Sequence, residues 1–288
     1  MKNLCLLILG VFTTIIAGAQ SFHIGLFGGA SAYGGELSSK FFQDKLTNGA
    51  IGASFSYELQ DQILIRAGLT YTVVGGADRF SNNQNSLNRN LSFETSILEF
   101  SALGEYYLFN LNERRYSPYA FAGLALFHFN PYAYDINLQR VFLKPLSTEG
   151  QGLANYPDRK PYSLTQFAIP FGGGIKFALG EKIRIGLELG MRKLFTDYLD
   201  DVSKNYIDPN DLFAAKGQQA VDLSYRGDEV GNPSYPSKLV QRGNEKTKDY
   251  YYFAGVHLSF RFGGDGGGGY GYDRGGRNSK TGCPSNPR

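Results

Sequence analysis

Gln166 to Phe195 reads QFAIPFGGGIKFALGEKIRIGLELGMRKLF, and its alternation decides the fold. In the second half Ile183, Ile185, Leu187, Leu189 and Met191 share one face, against Arg184, Gly186, Glu188, Gly190 and Arg192 on the other. The first half repeats the pattern, with Phe167, Ile169, Phe171, Ile175, Phe177 and Leu179 opposite Gln166, Ala168, Gly172, Gly174 and Lys176. A period of two means strands, and the short Gly180-Glu181-Lys182 join makes them an antiparallel hairpin. Each strand reads as about 12 to 14 residues, where strands of soluble domains average about 5 to 6. Such length suits a tilted strand crossing a bilayer, with the apolar face on lipid and the charged, glycine-bearing face inside.

Six further stretches repeat this template. With the hairpin they predict eight strands: Phe22–Ala32, Asn48–Leu59, Gln62–Val74, Phe93–Leu108, Ser117–Phe129, the two of the hairpin, and Tyr250–Phe262. The facing of Ser117–Phe129, rich in glycine and alanine, stays ambiguous. Connections alternate between short (Gln60-Asp61, Phe109–Tyr116, Gly180–Lys182) and long (Tyr33–Thr47, Gly75–Ser92, Asn130–Thr165, Thr196–Asp249). Short turns at one end and long loops at the other are the pattern of outer-membrane barrels, with both termini in the periplasm. The fold class expected is therefore all-β: an eight-stranded antiparallel transmembrane β-barrel with long extracellular loops. A soluble sandwich or lipocalin-like barrel has shorter strands and needs no export signal.

Met1-Lys2-Asn3, the apolar run Leu4–Ile16 and Ala17-Gly18-Ala19 predict a signal peptide over residues 1–19, with the mature chain beginning at Gln20. The apolar run is too short for a membrane anchor, which needs about 20 residues. Composition agrees with export to the outer membrane: 37 Gly, 20 Tyr, 22 Phe and no Trp, at a mean hydropathy of -0.27. That is too polar for a helical membrane protein, whereas a barrel shows lipid only alternate residues and gathers aromatic side chains at both interfaces. The formal charge of +3 gives no reason to expect nucleic acid. Residues 20–262 are thus the barrel domain, and 263–288 a glycine-rich, flexible periplasmic tail.

Nothing in the sequence makes a catalytic, cofactor-binding or metal-ligating set. His23, His128 and His257 lie on three strands with no metal-ligand spacing. The glycine run after Gly263 follows no strand-to-helix phosphate motif. Asp197, Asp200 and Asp201 are oxygen ligands of the kind calcium takes, but they lack EF-hand spacing and read as a solvated loop base. The inward charges Glu58, Arg66, Glu99, Glu105, Lys176, Arg184, Glu188, Arg192 and Arg261 mix both signs. An eight-stranded barrel is just wide enough for side chains to fill, so these are expected to pair and plug the lumen, with a selective pore as the alternative. With Cys5 removed, Cys283 is the lone thiol, and an odd cysteine in an exported chain suggests a bond to a partner.

Several motifs together resemble one family. They are FTDYLDDVS at Phe195–Ser203, the strand Tyr119–Phe129, PLSTEGQG at Pro145–Gly152, IPFGGGIK at Ile169–Lys176 and HIGLFGGASAYGGEL at His23–Leu37. They resemble the PorG-like outer-membrane barrels of the Bacteroidetes type IX secretion (Por/gliding) system, over essentially all of Phe22–Phe262. Gly35-Glu36-Leu37 stands where Gly-Asp-Leu is expected, and the glycine-rich insert before Cys283 departs from the family. The resemblance implies a non-catalytic component of the secretion machinery that contacts the periplasmic ring of a PorK-like lipoprotein and its PorN-like partner. It makes the PorK-like protein the candidate for a disulfide at Cys283. Two other readings are a small surface barrel of OmpX/OmpW type acting through its loops, and a lipid-modifying barrel enzyme.

Overall fold

Alternating side chains oblige each strand to present one face to the inside and one to the outside, and eight such strands close into a barrel in the computed structural model. It describes residues 21–38, 46–232 and 234–263; the expected signal peptide and the tail with Cys283 lie outside them. The strands are β1 (Phe22–Gly34), β2 (Asn48–Gln60), β3 (Ile63–Ala77), β4 (Ser92–Tyr107), β5 (Tyr116–Tyr134), a short β6 (Arg140–Phe142), β7 (Thr165–Ala178), β8 (Ile183–Leu194) and β9 (Tyr250–Phe262). The order is β4-β3-β2-β1-β9-β8-β7-β5, all neighbours antiparallel, and β4 pairs with β5 to close the ring. β6 is not a wall strand; it pairs only with the end of β5, Tyr132 opposite Phe142.

The outer face is greasy all the way round. Leu26 is 57% exposed, Ile51 66%, Leu124 64%, Phe167 65% and Leu187 57%. An apolar band of this extent on every wall strand is stable against lipid tails and not against water. Rings gather where the band meets the turns: Phe22 stacks on Phe55 and Phe262, with centroids 5.7 and 5.3 Å apart, and Tyr116 lies 6.5 Å from Phe177. This is one aromatic girdle of a membrane-spanning barrel.

The hairpin that decides the fold is β7–β8, of 14 and 12 residues, with Phe171 opposite Met191 and Ile175 opposite Leu187. β5 is longer than its sequence pattern indicates, running 19 residues to Tyr134. Its ambiguous facing resolves with Ala120, Ala122, Leu124, Leu126 and His128 outward and Tyr119, Phe121, Ala125, Phe127 and Phe129 inward.

The lumen is not polar throughout, as the alternation suggested. Towards the long loops Ile97, Phe127, Phe129, Tyr251 and Phe253 fill it, and they join loop residues Leu199, Val202, Ile207, Leu212 and Leu223 in one buried cluster. A smaller cluster of Leu64, Leu103, Tyr107, Leu111, Tyr119 and Phe121 lies elsewhere in the lumen, and Leu111 belongs to the β4–β5 turn. The loops carry structure of their own, including α1 (Gln84–Arg89), α2 (Pro209–Lys216) and α3 (Gln218–Ser224). Asp208 caps α2 by accepting from the Asn210 amide at 2.9 Å, with Pro209 at the first helical position. Together the loops form a lid over the barrel, held by the shared apolar cluster.

Candidate functional site

The lumen charges sit on β2, β3, β4, β7, β8 and β9, each placed inward by the strand period. The structure brings all nine into three paired groups. Nearest the middle, Arg66 Nε meets Glu105 Oε1 at 2.7 Å and Arg66 Nη1 meets Glu188 Oε2 at 2.8 Å, with Lys176 Nζ 3.4 Å from Glu105. Towards the turns Glu58 takes Arg184 at 2.9 Å, Arg261 at 3.2 Å and His23 at 2.8 Å. Towards the loops Arg192 pairs with Glu99 at 3.2 Å and lies 4.2 Å over the Phe253 ring.

Residues the sequence reading did not single out complete these groups. Tyr107 donates to Glu105 at 2.5 Å and takes the Lys176 ammonium at 2.5 Å; Tyr119 donates to Glu188 at 2.7 Å and Tyr251 to Glu99 at 2.6 Å. Asn112, in the β4–β5 turn, accepts from Arg184 at 3.2 Å and Arg261 at 3.0 Å. Arg66, Glu99, Glu105, Lys176 and Arg184 are all under 5% exposed, so each charge depends on its partner for stabilisation. Between Arg66, Ser101, Glu188, Arg192 and His257 remains a cavity of about 30 Å³, room for a water or two. Of the three histidines, His23 and His257 face the lumen, and His128 faces out, 3.0 Å from Thr165 Oγ1.

The segment Asp197–Asp201 is not the solvated loop base its composition suggested. Asp197, Asp200 and Asp201 are 2%, 1% and 0% exposed, because the apolar cluster folds the lid down over them. Two quoted motifs meet here. Glu149 of PLSTEGQG accepts the Ser203 and Lys204 amides at 2.9 and 3.0 Å and pairs with Arg242 at 3.0 Å. Asp201 accepts from Thr148 at 2.5 Å and from Tyr162 at 2.8 Å. Burial pushes the Asp201 carboxyl up to about 6, against the pull of Arg242 and Thr148.

Beside this network lies a second carboxylate group, gathered from the end of β1, the loop after β8 and the entry to β9. One oxygen each of Glu36, Asp200 and Asp249 lies within 4.8 Å of the others. Tyr33 Oη is 2.7 Å from Asp200 Oδ2 and 2.9 Å from Asp249 Oδ1. The remaining oxygens take backbone amides: Val202 to Asp200 Oδ1 at 2.9 Å, Leu199 to Asp249 Oδ2 at 2.9 Å and Asn244 to Glu36 Oε1 at 3.0 Å. Burial first, then the charge of neighbouring carboxylates, pushes Glu36 up to about 7 and Asp200 and Asp249 well above the usual carboxylate range. Asp197 is pushed up to about 7 by its burial and by the charge of Asp200. No sequence period links residues 36, 197, 200 and 249, so only the closed lid reveals the group.

A family model described as "Domain of unknown function (DUF6089)" matches residues 2–211, from the N-terminus into α2. No curated protein matches the chain. Among solved structures the chain is similar to Ail, the attachment invasion locus protein of Yersinia pestis, solved with the heparin analogue sucrose octasulfate (9% identity, 84% of this chain and 99% of that one, TM-score 0.40). It is also similar to Neisserial surface protein A (10% identity, 85% and 98%, TM-score 0.41). A third is OprG of Pseudomonas aeruginosa (11% identity, 85% and 96%, TM-score 0.38).

Proposed function

We propose that this chain, which belongs to the DUF6089 family, is a non-catalytic outer-membrane scaffold: a closed barrel that binds partners at its ends and transports nothing. The observation that carries this reading is the filled lumen, where paired charges and an aromatic cluster of the described residues surround a cavity of about 30 Å³. A wall without a passage puts the useful surfaces at the loop lid and the turn end. The membrane is the outer one, with the lid outside and the turns, N-terminus and tail in the periplasm.

The finer assignment is to the type IX secretion machinery. The resemblance to PorG-like barrels supports it, as does the meeting of two resemblance motifs in the Glu149–Asp201–Arg242 network. In this reading the periplasmic end contacts the PorK-like lipoprotein and PorN-like ring, with Cys283 in the tail as the bonding thiol. Affinity capture from native membranes tests it. The full chain retains ring proteins, Cys283→Ser loses the disulfide-linked species on non-reducing gels, and deletion of Gly263–Arg288 loses the ring. Capture of no ring protein by the full chain contradicts the assignment.

The OmpX/OmpW-type alternative draws on one feature of the lid. A groove of about 550 Å³ lies there, lined in part by Asn83, Asn85, Asn88, Tyr225 and Arg242. If loop replacement abolishes function and tail deletion does not, this second reading stands in place of the first.

A further inference from the structure

We propose that Glu36, Asp200 and Asp249, with the unpartnered Asp197 beside them, form a divalent-cation site of the calcium class that pins the loop lid to the barrel rim. The geometry is that of a gathered ligand set. Three carboxylate oxygens within 4.8 Å of one another can share one ion at about 2.4 Å from each. Glu36, Asp200 and Asp249 each fix one oxygen on a backbone amide, which turns the other towards the common point.

The hydrogen-bond account is short by a cation. Asp197 is 2% exposed and neither of its carboxylate oxygens has a hydrogen-bond partner; Glu36 Oε2 is shut from solvent and equally unpartnered. Buried polar atoms are almost always satisfied, so three orphaned oxygens beside one carboxylate group call for a ligand. Asp197 lies beside the group, its charge being the leading repulsive influence on Glu36 and acting also on Asp249. Tyr33 has one hydroxyl proton for the two carboxylate oxygens it touches. Among the described residues no lysine or arginine pairs with any of the four. Arg89, whose charge acts on Glu36 and Asp200, spends two nitrogens on Asp78 at 2.7 Å each.

The donors are all hard oxygens with no imidazole or thiolate, which excludes a zinc- or copper-type site and suits calcium or magnesium. Calcium fits better, because it accepts irregular sets of carboxylate, hydroxyl and carbonyl oxygens, whereas magnesium keeps several waters in a strict octahedron. Gly35 fits the same picture. A Cβ there would stand 2.0 Å from Tyr33 Oη and 2.3 Å from Asp249 Oδ1, so only glycine lets the backbone pass this close. The ion would tie together three segments that contribute no covalent link: the end of β1, the loop after β8 and the start of β9. The site does not depend on the secretion assignment and would stand without it.

Terbium, a calcium substitute whose emission a nearby tyrosine sensitises, tests the site on the full chain purified in detergent and stripped with chelator. Saturable emission at one ion per chain is expected, displaced by calcium, with the affinity of Glu36→Gln and Asp249→Asn falling about tenfold or more. Tyr33→Phe is expected to dim the emission while the calcium-induced rise in melting temperature persists. That rise needs no variant, so it decides the matter if Asp249→Asn does not fold. No saturable emission and no calcium-dependent stabilisation of the wild-type chain overturns the proposal, as does unchanged affinity in Glu36→Gln.

Discussion

Glu105 gathers three partners in the middle of the lumen. It is 1% exposed and meets Arg66, Lys176 and the Tyr107 hydroxyl at once. Removing it leaves Lys176 without its carboxylate and Arg66 with Glu188 alone. Breaking a buried pair strands a charge where water cannot reach, at a cost of about 3–5 kcal/mol. Glu105→Ala is therefore expected to lower stability by about that amount in urea unfolding from lipid vesicles, while Glu113→Ala, on an exposed turn, changes it by less than about 0.5 kcal/mol. An equal effect from the two would mean that the lumen pairs add nothing. Such charges are conspicuous in sequence because each interrupts a glycine-rich inward face. Their partners Tyr107, Tyr119 and Tyr251 are not, since a tyrosine inside a barrel and one in a girdle look alike until the facing is known.

At the scale of the strand, the hairpin β7–β8 obeys the rule that made it readable. Its outward residues meet lipid and its inward residues meet charge, so the period of two is written in strong contrast. Leu187 is 57% exposed about half-way along the span, opposite Ile175 on one neighbour and Val256 on the other. Leu187→Arg places a charge near the bilayer midplane and is expected to cost about 2–4 kcal/mol in vesicle unfolding. A cost near zero would mean that this face does not meet hydrocarbon. β5 shows where the rule fails. Both of its faces are apolar, Leu124 and Leu126 outside and Phe121 and Phe127 inside, so no contrast marks its sides. The lid helices escaped for a related reason: α1 has six residues, too few to show a period of 3.6.

For the molecule as a whole, the barrel was legible from alternation and loop length, and the lid was not. A lid is made by residues far apart in the chain, such as Glu36 with Asp200 and Asp249, or Glu149 with Arg242. Nothing local signals their meeting, and aspartates in a loop ordinarily stay in water. Folding the loops inward converts them into buried groups with partners to find, and gives the lumen an apolar half that alternation alone did not suggest. The resulting account is of a membrane wall stoppered from within and capped from one side. Single-channel recording on the purified full-length barrel in a planar bilayer tests that closure most directly. The account predicts no stable open level across the accessible voltage range, and a steady conductance scaling with the number of inserted barrels would contradict it.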